Sequence, residues 1–151
     1  MTHRILFVCL GNICRSPTAE AVTRAKAQAL GLDVTLDSAG TAGWHVGKPP
    51  YGPMQDAARA AGYDMSSLRA RQVSPADATA FDLIVAMDAQ NAADLADLSA
   101  PVVLFTDYAR HSGADHVPDP YYTRDFTGAL ALIEACADGL LAELSGARPQ
   151  V

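Results

Sequence analysis

Ile5-Leu6-Phe7-Val8-Cys9-Leu10-Gly11-Asn12-Ile13-Cys14-Arg15-Ser16-Pro17-Thr18-Ala19-Glu20 is the stretch from which the rest of the chain can be read. Its four leading apolar residues predict a buried strand, a short glycine-containing loop follows, and Ser16-Pro17 carries the residues of a helix start. A strand that runs through a tight loop into a helix is the first half of a parallel βαβ unit. The same layout creates a site for an anion, because the first amides of a helix have no intrahelical acceptor and the peptide dipoles add there. Arg15 brings a planar donor fork suited to two phosphate oxygens, and Cys9 sits where the same positive field favours a thiolate.

Outward from this stretch, strand and helix signals alternate. Short runs rich in branched and aromatic residues predict strands at 4–8, 34–38, 83–87 and 102–105. A helix over 17–30 has Ser16 as N-cap, Pro17 in its first turn and Gly31 just past its end. A second helix, 51–61, stops at Gly62, and a third, 89–98, follows Asp88 as N-cap. In the last one, Phe126, Leu130, Ile133, Ala137, Leu140, Leu141 and Leu144 recur at three- and four-residue steps, so this stripe faces the sheet. The expected fold class is therefore α/β: an open four-stranded parallel sheet with helices on both faces and the phosphate-binding loop after the first strand.

The 151 residues, 50% of them hydrophobic and 19% charged, suit one domain over 1–151 with a frayed tail at 145–151. Ile5 to Leu10 is too short for a signal segment or a membrane span, so a cytoplasmic, monomeric protein with no membrane partner is expected. A net charge of −6 argues against nucleic acid as a partner. Three cysteines cannot all pair, and with no zinc-type spacing they point to a reducing compartment. Neither a cofactor nor a metal is called for, since His3, His45, His111 and His116 are scattered.

Residues 9–16 resemble the Cys-x5-Arg-Ser/Thr phosphate loop of cysteine-dependent phosphatases. The N-terminal position of the loop, together with Asp119-Pro120-Tyr121-Tyr122 far along the chain, resembles the low-molecular-weight protein tyrosine phosphatase family. The resemblance implies hydrolysis of phosphotyrosine in proteins without a cofactor. Cys9 is then the nucleophile, Arg15 and the loop amides from Leu10 to Arg15 the phosphate cradle, and Asp119 the acid that protonates the leaving oxygen. Read on its own, Asp119 is a turn-initiating residue before Pro120. Ser16 is either a plain N-cap or a hydroxyl that eases the sulfur's departure, and the two roles are compatible.

Trp44 lies in a Gly/Pro-rich loop, and with Tyr121 and Tyr122 it corresponds to family positions that wall a slot for the phosphotyrosine ring. For Tyr122, an ordinary packing role is the equal alternative, since adjacent residues rarely face one way. Ile13 leans the same way, because related arginine phosphatases tend to carry Thr there. Gly11 permits close approach to phosphate, Asn12 tolerates left-handed backbone, and Ser38 resembles the family residue that holds Asn12. Cys14 is either a small buried residue or, as the resemblance implies, the partner of Cys9 in a reversible disulfide. One departure is Leu68, where the family often has His before Arg-Ala-Arg-Gln, which leaves a bracing contact in question; Arg69 and Arg71 read as a solvated turn. Competing functions are a protein arginine phosphatase, a thiol-dependent arsenate reductase, which has no cysteine in 75–100 to support it, and a non-catalytic phosphate-binding module.

Overall fold

The computed structural model describes residues 2–146. Four strands, β1 (His3–Cys9), β2 (Val34–Gly40), β3 (Leu83–Ala86) and β4 (Val102–Leu104), form one parallel sheet in the order β2-β1-β3-β4. β1 is central because its apolar run is the most continuous: Ile5, Leu6, Phe7 and Val8 are each no more than 1% exposed, as a strand covered on both faces requires. The chain leaves β1 for β2 on one side and later returns to β3 on the other. The direction of winding thus reverses at the C-terminal end of β1, where open α/β sheets bind ligands.

Alternate β1 residues feed two cores. Ile5, Phe7 and Cys9 face the larger one, built with α1 (Arg15–Leu30), α2 (Gly52–Ala60) and α6 (Phe126–Leu144). Leu6 and Val8 face a smaller one with Ile84, Ala86 and Leu95, beside α4 (Ala89–Asp94). The apolar stripe of α6 is buried at Leu130, Ile133, Ala137, Leu140 and Leu141, as its spacing predicts.

Some expected boundaries are corrected. α1 begins at Arg15, and its N-cap is Cys14, which makes no side-chain cap; Ser16 lies inside the first turn. Gly31 closes it in the left-handed conformation at φ 69°. α4 ends at Asp94, not Leu98, because the backbone tightens into i→i−3 bonds (Leu95 to Ala92, Ala96 to Ala93, Leu98 to Leu95) before Pro101 leads into β4. Phe105, expected in the fourth strand, instead opens a 3₁₀ segment, Phe105–Ser112, and its ring packs 5.3 Å from that of Phe7. Two single-turn helices were not legible in the pattern: α3 (Asp77–Ala80) and α5 (Pro120–Thr123). Of the expected tail, Ser145 and Gly146 form a turn after α6 and 147–151 lie outside the described residues.

Candidate active site

The loop between β1 and α1 closes on the Cys9 sulfur. The Asn12 N–H donates to Cys9 Sγ at 3.3 Å, and Cys9 Sγ and Ser16 Oγ share a 3.0 Å hydrogen bond. Asn12 has φ 58°, the left-handed conformation its position demanded, and it is 2% exposed. Its amide orientation follows from its partners: the backbone N–H of Arg71 can only donate, so the atom it meets at 2.9 Å is Oδ1. Nδ2 then donates to Ser16 Oγ at 2.8 Å and to Ser38 Oγ at 3.0 Å. With a lone pair of Ser16 occupied in this way, its own hydrogen has two acceptors in reach, the sulfur at 3.0 Å and the Ala39 carbonyl oxygen at 3.4 Å. Ser38 passes its hydrogen to Glu20 Oε1 at 2.7 Å, and the second Glu20 oxygen is held by Arg24.

Arg15 enters from the first turn of α1, its side chain 3% exposed. Nη1 donates to Asp88 Oδ2 at 2.8 Å and to the Val117 carbonyl at 3.0 Å, and Nη2 reaches Asp119 Oδ2 at 3.5 Å. Its buried Nε has no partner among the described residues, so a donor of the fork remains for a ligand oxygen. Burial opposes the Arg15 charge, but the Cys9 sulfur and the Asp88 and Asp119 carboxylates outweigh it and push the guanidinium above its ordinary value. For Asp88, burial also opposes ionisation, and the bonds from Arg15 and the Asn91 amide hold its carboxyl below the usual carboxylate range.

A cleft opens over this loop. It is lined by Cys9, Leu10, Gly11, Ile13 and Cys14 on one side and by Trp44, His45, Asp119, Tyr121 and Tyr122 around its mouth. Asp119 therefore lines the same cleft as Cys9, 110 residues away along the chain. It also caps α5 through a 3.1 Å bond from the Tyr121 amide, so the turn-initiating role coexists with its place in the cleft. Trp44 and Tyr122 are 67% and 68% exposed. Among the described residues, no group of His, Cys, Asp or Glu is placed to hold a metal ion.

The family model for low molecular weight phosphotyrosine protein phosphatases matches residues 4–149. The chain belongs to this family. It is 43% identical over 147 residues to the low molecular weight protein-tyrosine-phosphatase YfkJ of Bacillus subtilis, covering 93% of this chain and 94% of the relative. The crystal structure of YfkJ superposes with a TM-score of 0.92 at 40% identity over 99% of this chain and 98% of that one. A low molecular weight protein-tyrosine-phosphatase of Streptomyces coelicolor is 44% identical over 154 residues, 94% of this chain and 93% of the relative. The structure of a Drosophila arginine phosphatase superposes with a TM-score of 0.86 at 28% identity, over 93% of this chain and 96% of that one.

Within the phosphatase fold, Cys9, Leu10, Gly11, Ile13, Cys14, Trp44, Asp119, Tyr121 and Tyr122 line the cleft, and Asn12, Ser16 and Ser38 form the hydrogen-bonded support of the loop. Tyr121 and Tyr122 both reach the cleft, contrary to the alternation argument, because they sit on a helical turn rather than a strand; their rings meet at 5.3 Å in a T-shaped contact. Leu68 packs against the larger core, and the bracing of Asn12 comes from the Arg71 amide. Arg71 is not a solvated turn residue, since its side chain pairs with Asp37 and Asp77; Arg69 is exposed. Ser16 does not cap α1. Sequence reasoning missed the site contacts of Asp88, Val117, Glu20 and His45. Asp88 had a signal, as a cap directly after a parallel strand, but its pairing with Arg15 spans 73 residues. Burial, then Asp119 and Cys9, push the Cys14 thiol up to about 12, and burial does the same for Cys136, so both stay protonated at neutral pH.

Proposed function

We propose that this chain hydrolyses phosphotyrosine monoesters in proteins through a phosphocysteine intermediate, acting as a monomeric cytoplasmic domain over residues 1–151 without a cofactor. One observation carries the reading: Cys9 Sγ, bonded by the Asn12 amide and Ser16, shares a cleft with the Asp119 carboxyl, which the buried Arg15 fork reaches at 3.5 Å. Family membership supports the substrate class. The −6 charge speaks against nucleic acid, and three free cysteines fit a reducing compartment.

The Cys9 thiolate attacks phosphorus in line with the ester oxygen, forming an S–P bond as the P–O bond breaks. The non-bridging oxygens rest on the loop amides from Leu10 to Arg15 and on the Arg15 guanidinium, which neutralise the charge of the transferring group. Asp119, at the mouth of the cleft, gives its proton to the departing phenolate oxygen. Water then attacks the phosphocysteine and Asp119 takes its proton. The S–P bond breaks with the sulfur leaving as thiolate, stabilised by the Ser16 hydroxyl. Ile13, Trp44, Tyr121 and Tyr122 give the cleft an apolar wall that suits an aromatic ring, which a phosphoserine side chain lacks. The Cys9–Cys14 disulfide implied by the family resemblance belongs to this reading as a reversible cover for the nucleophile.

Turnover on matched peptides carrying phosphotyrosine, phosphoarginine or phosphoserine tests the assignment. Preference for phosphotyrosine is expected, with Cys9→Ser binding phosphotyrosyl peptide but not turning it over. Phosphoarginine preference, or arsenate reduction with a thioredoxin system, would replace the reading. Binding with no turnover of any ester by the unaltered chain would leave a phosphate-binding module.

A further inference from the structure

Both ends of the Asn12 side-chain amide are gripped by a frame that the reaction itself never touches. Oδ1 accepts from the Arg71 backbone N–H, and Nδ2 donates to Ser38 of β2. The Arg71 side chain ties these two grips together. Its Nε donates to Asp37 Oδ2 at 3.1 Å, on the residue that precedes Ser38. Its two terminal nitrogens donate to the two oxygens of Asp77 in α3, each at 3.1 Å, in the fork geometry that Lys cannot reproduce. Asp77 is 7% exposed at its side chain and also accepts from the Ser74 amide at 2.8 Å.

The backbone around Arg71 is stitched to the same region. Gly40 N–H donates to the Arg71 carbonyl and Val73 N–H to the Gly40 carbonyl, each at 2.8 Å, extending the C-terminal end of β2 by a bridge to Gln72. Gly40 itself lies opposite Cys9 in the sheet register. The segment 70–73 is thus a strap behind the phosphate loop, and the guanidinium of Arg71 is the pin that anchors it to β2 and α3.

We propose that Arg71 is a positioning residue of the phosphate loop: by pinning the strap to Asp37 and Asp77, it holds the Asn12 amide in the orientation that directs the Asn12 N–H and the Ser16 hydroxyl at the Cys9 sulfur. The proposal rests on Cys9 being the nucleophile of the proposed reaction. Asn12 is the point of transmission because its left-handed backbone is set by contacts of its own side chain, with no glycine-like freedom to relax into.

The test is a double-mutant cycle of Arg71→Lys with Asn12→Gly, which removes the amide but leaves the left-handed backbone accessible. Arg71→Lys alone should lower kcat on aryl phosphates roughly 10-fold or more, the scale of a displaced catalytic frame, with a smaller change in KM. In the Asn12→Gly background, the same replacement should cost less than about twofold. A second readout needs no turnover: the rate of iodoacetamide alkylation of Cys9 against pH, in a setting of Arg15, Cys14 and Asp119 that these variants leave intact. Its half-maximal pH should rise in Arg71→Lys; Cys14 and Cys136, protonated at neutral pH, do not compete. Asp77→Asn, which unpairs the fork from the other side, repeats the measurement if the Lys variant folds poorly. Equal losses in both backgrounds, or an unmoved alkylation profile with kcat intact, would reduce Arg71 to a scaffold residue. Altered alkylation in a chain that turns over no phosphate ester would instead strike the proposed activity and leave the strap standing.

Discussion

Replacing Asp88 separates two jobs that one carboxylate performs. Oδ2 receives Arg15 Nη1 at 2.8 Å, and Oδ1 receives the Asn91 amide at 2.7 Å as the cap of α4. Asp88→Asn keeps a good cap but removes the charge facing a guanidinium that is 3% exposed. Breaking a fully buried pair costs about 3–5 kcal/mol and a charge-assisted hydrogen bond is worth about 1.5–3. Asp88 is 25% exposed and Arg15 keeps the Val117 carbonyl, so the lower scale applies: about 2 kcal/mol of stability. Asp88→Ala loses the cap as well, adding about 1 kcal/mol. At a typical urea dependence of about 2 kcal/mol per molar, the midpoints should fall by about 1 M for Asn and about 1.5 M for Ala. The freed fork should also bind inorganic phosphate less well, with kcat/KM on aryl phosphates lower by roughly 10- to 100-fold. Urea titrations of the two variants and competitive inhibition by phosphate read these effects directly. An Asn variant with the wild-type midpoint and unchanged phosphate inhibition would refute the view that Asp88 anchors Arg15.

The remaining predictions concern pH, the acid and a close approach. Because Arg15 and the Asn91 amide hold Asp88 below the usual carboxylate range, its contribution is complete above an unfolded-state value of about 4 and is lost as pH falls through the lower native value. The gap between wild-type and Asp88→Asn urea midpoints should therefore close on acidification from pH 6 to pH 2.5; a constant gap would contradict the linkage. Asp119→Ala should lose roughly 10²- to 10⁴-fold in rate on phenyl phosphate but far less on an ester whose leaving group needs no proton, and equal losses would refute the acid assignment. Gly40→Ala would place a methyl group 2.7 Å from the Leu10 carbonyl oxygen and 3.1 Å from that of Ala42. It should cost about 1–3 kcal/mol in thermal or urea unfolding and reduce turnover by displacing the loop, whereas a wild-type midpoint would show the backbone there to be yielding.

Some of the site was legible because its geometry is local. Cys9, Asn12, Arg15 and Ser16 lie within eight residues, so strand, loop and helix start determine where they point, and a non-glycine residue in left-handed backbone was readable from Asn alone. Ser16 shows where local rules mislead. A serine before proline is a good cap, yet here the helix starts earlier and the hydroxyl serves the sulfur. The Tyr121-Tyr122 pair shows the same thing at the other end of the site: a strand rule was applied to a helical turn too short to have a period.

The order of apolar runs and helix signals was enough to specify a parallel α/β sheet and to put the loop after its first strand, while the family resemblance supplied Cys9, Arg15 and Asp119 as the candidate nucleophile, guanidinium and acid. Tertiary structure alone decided what holds them. Asp88, Val117, Arg71 and Asp77 come from distant segments, and their partners are chosen by strand order and by which carboxylate the folded sheet brings beside a buried cation. A sequence displays the periodicities that build elements, because these act between neighbours along the chain. Pairings across the ends of parallel strands depend on crossovers and register, and they exist only once the sheet has closed.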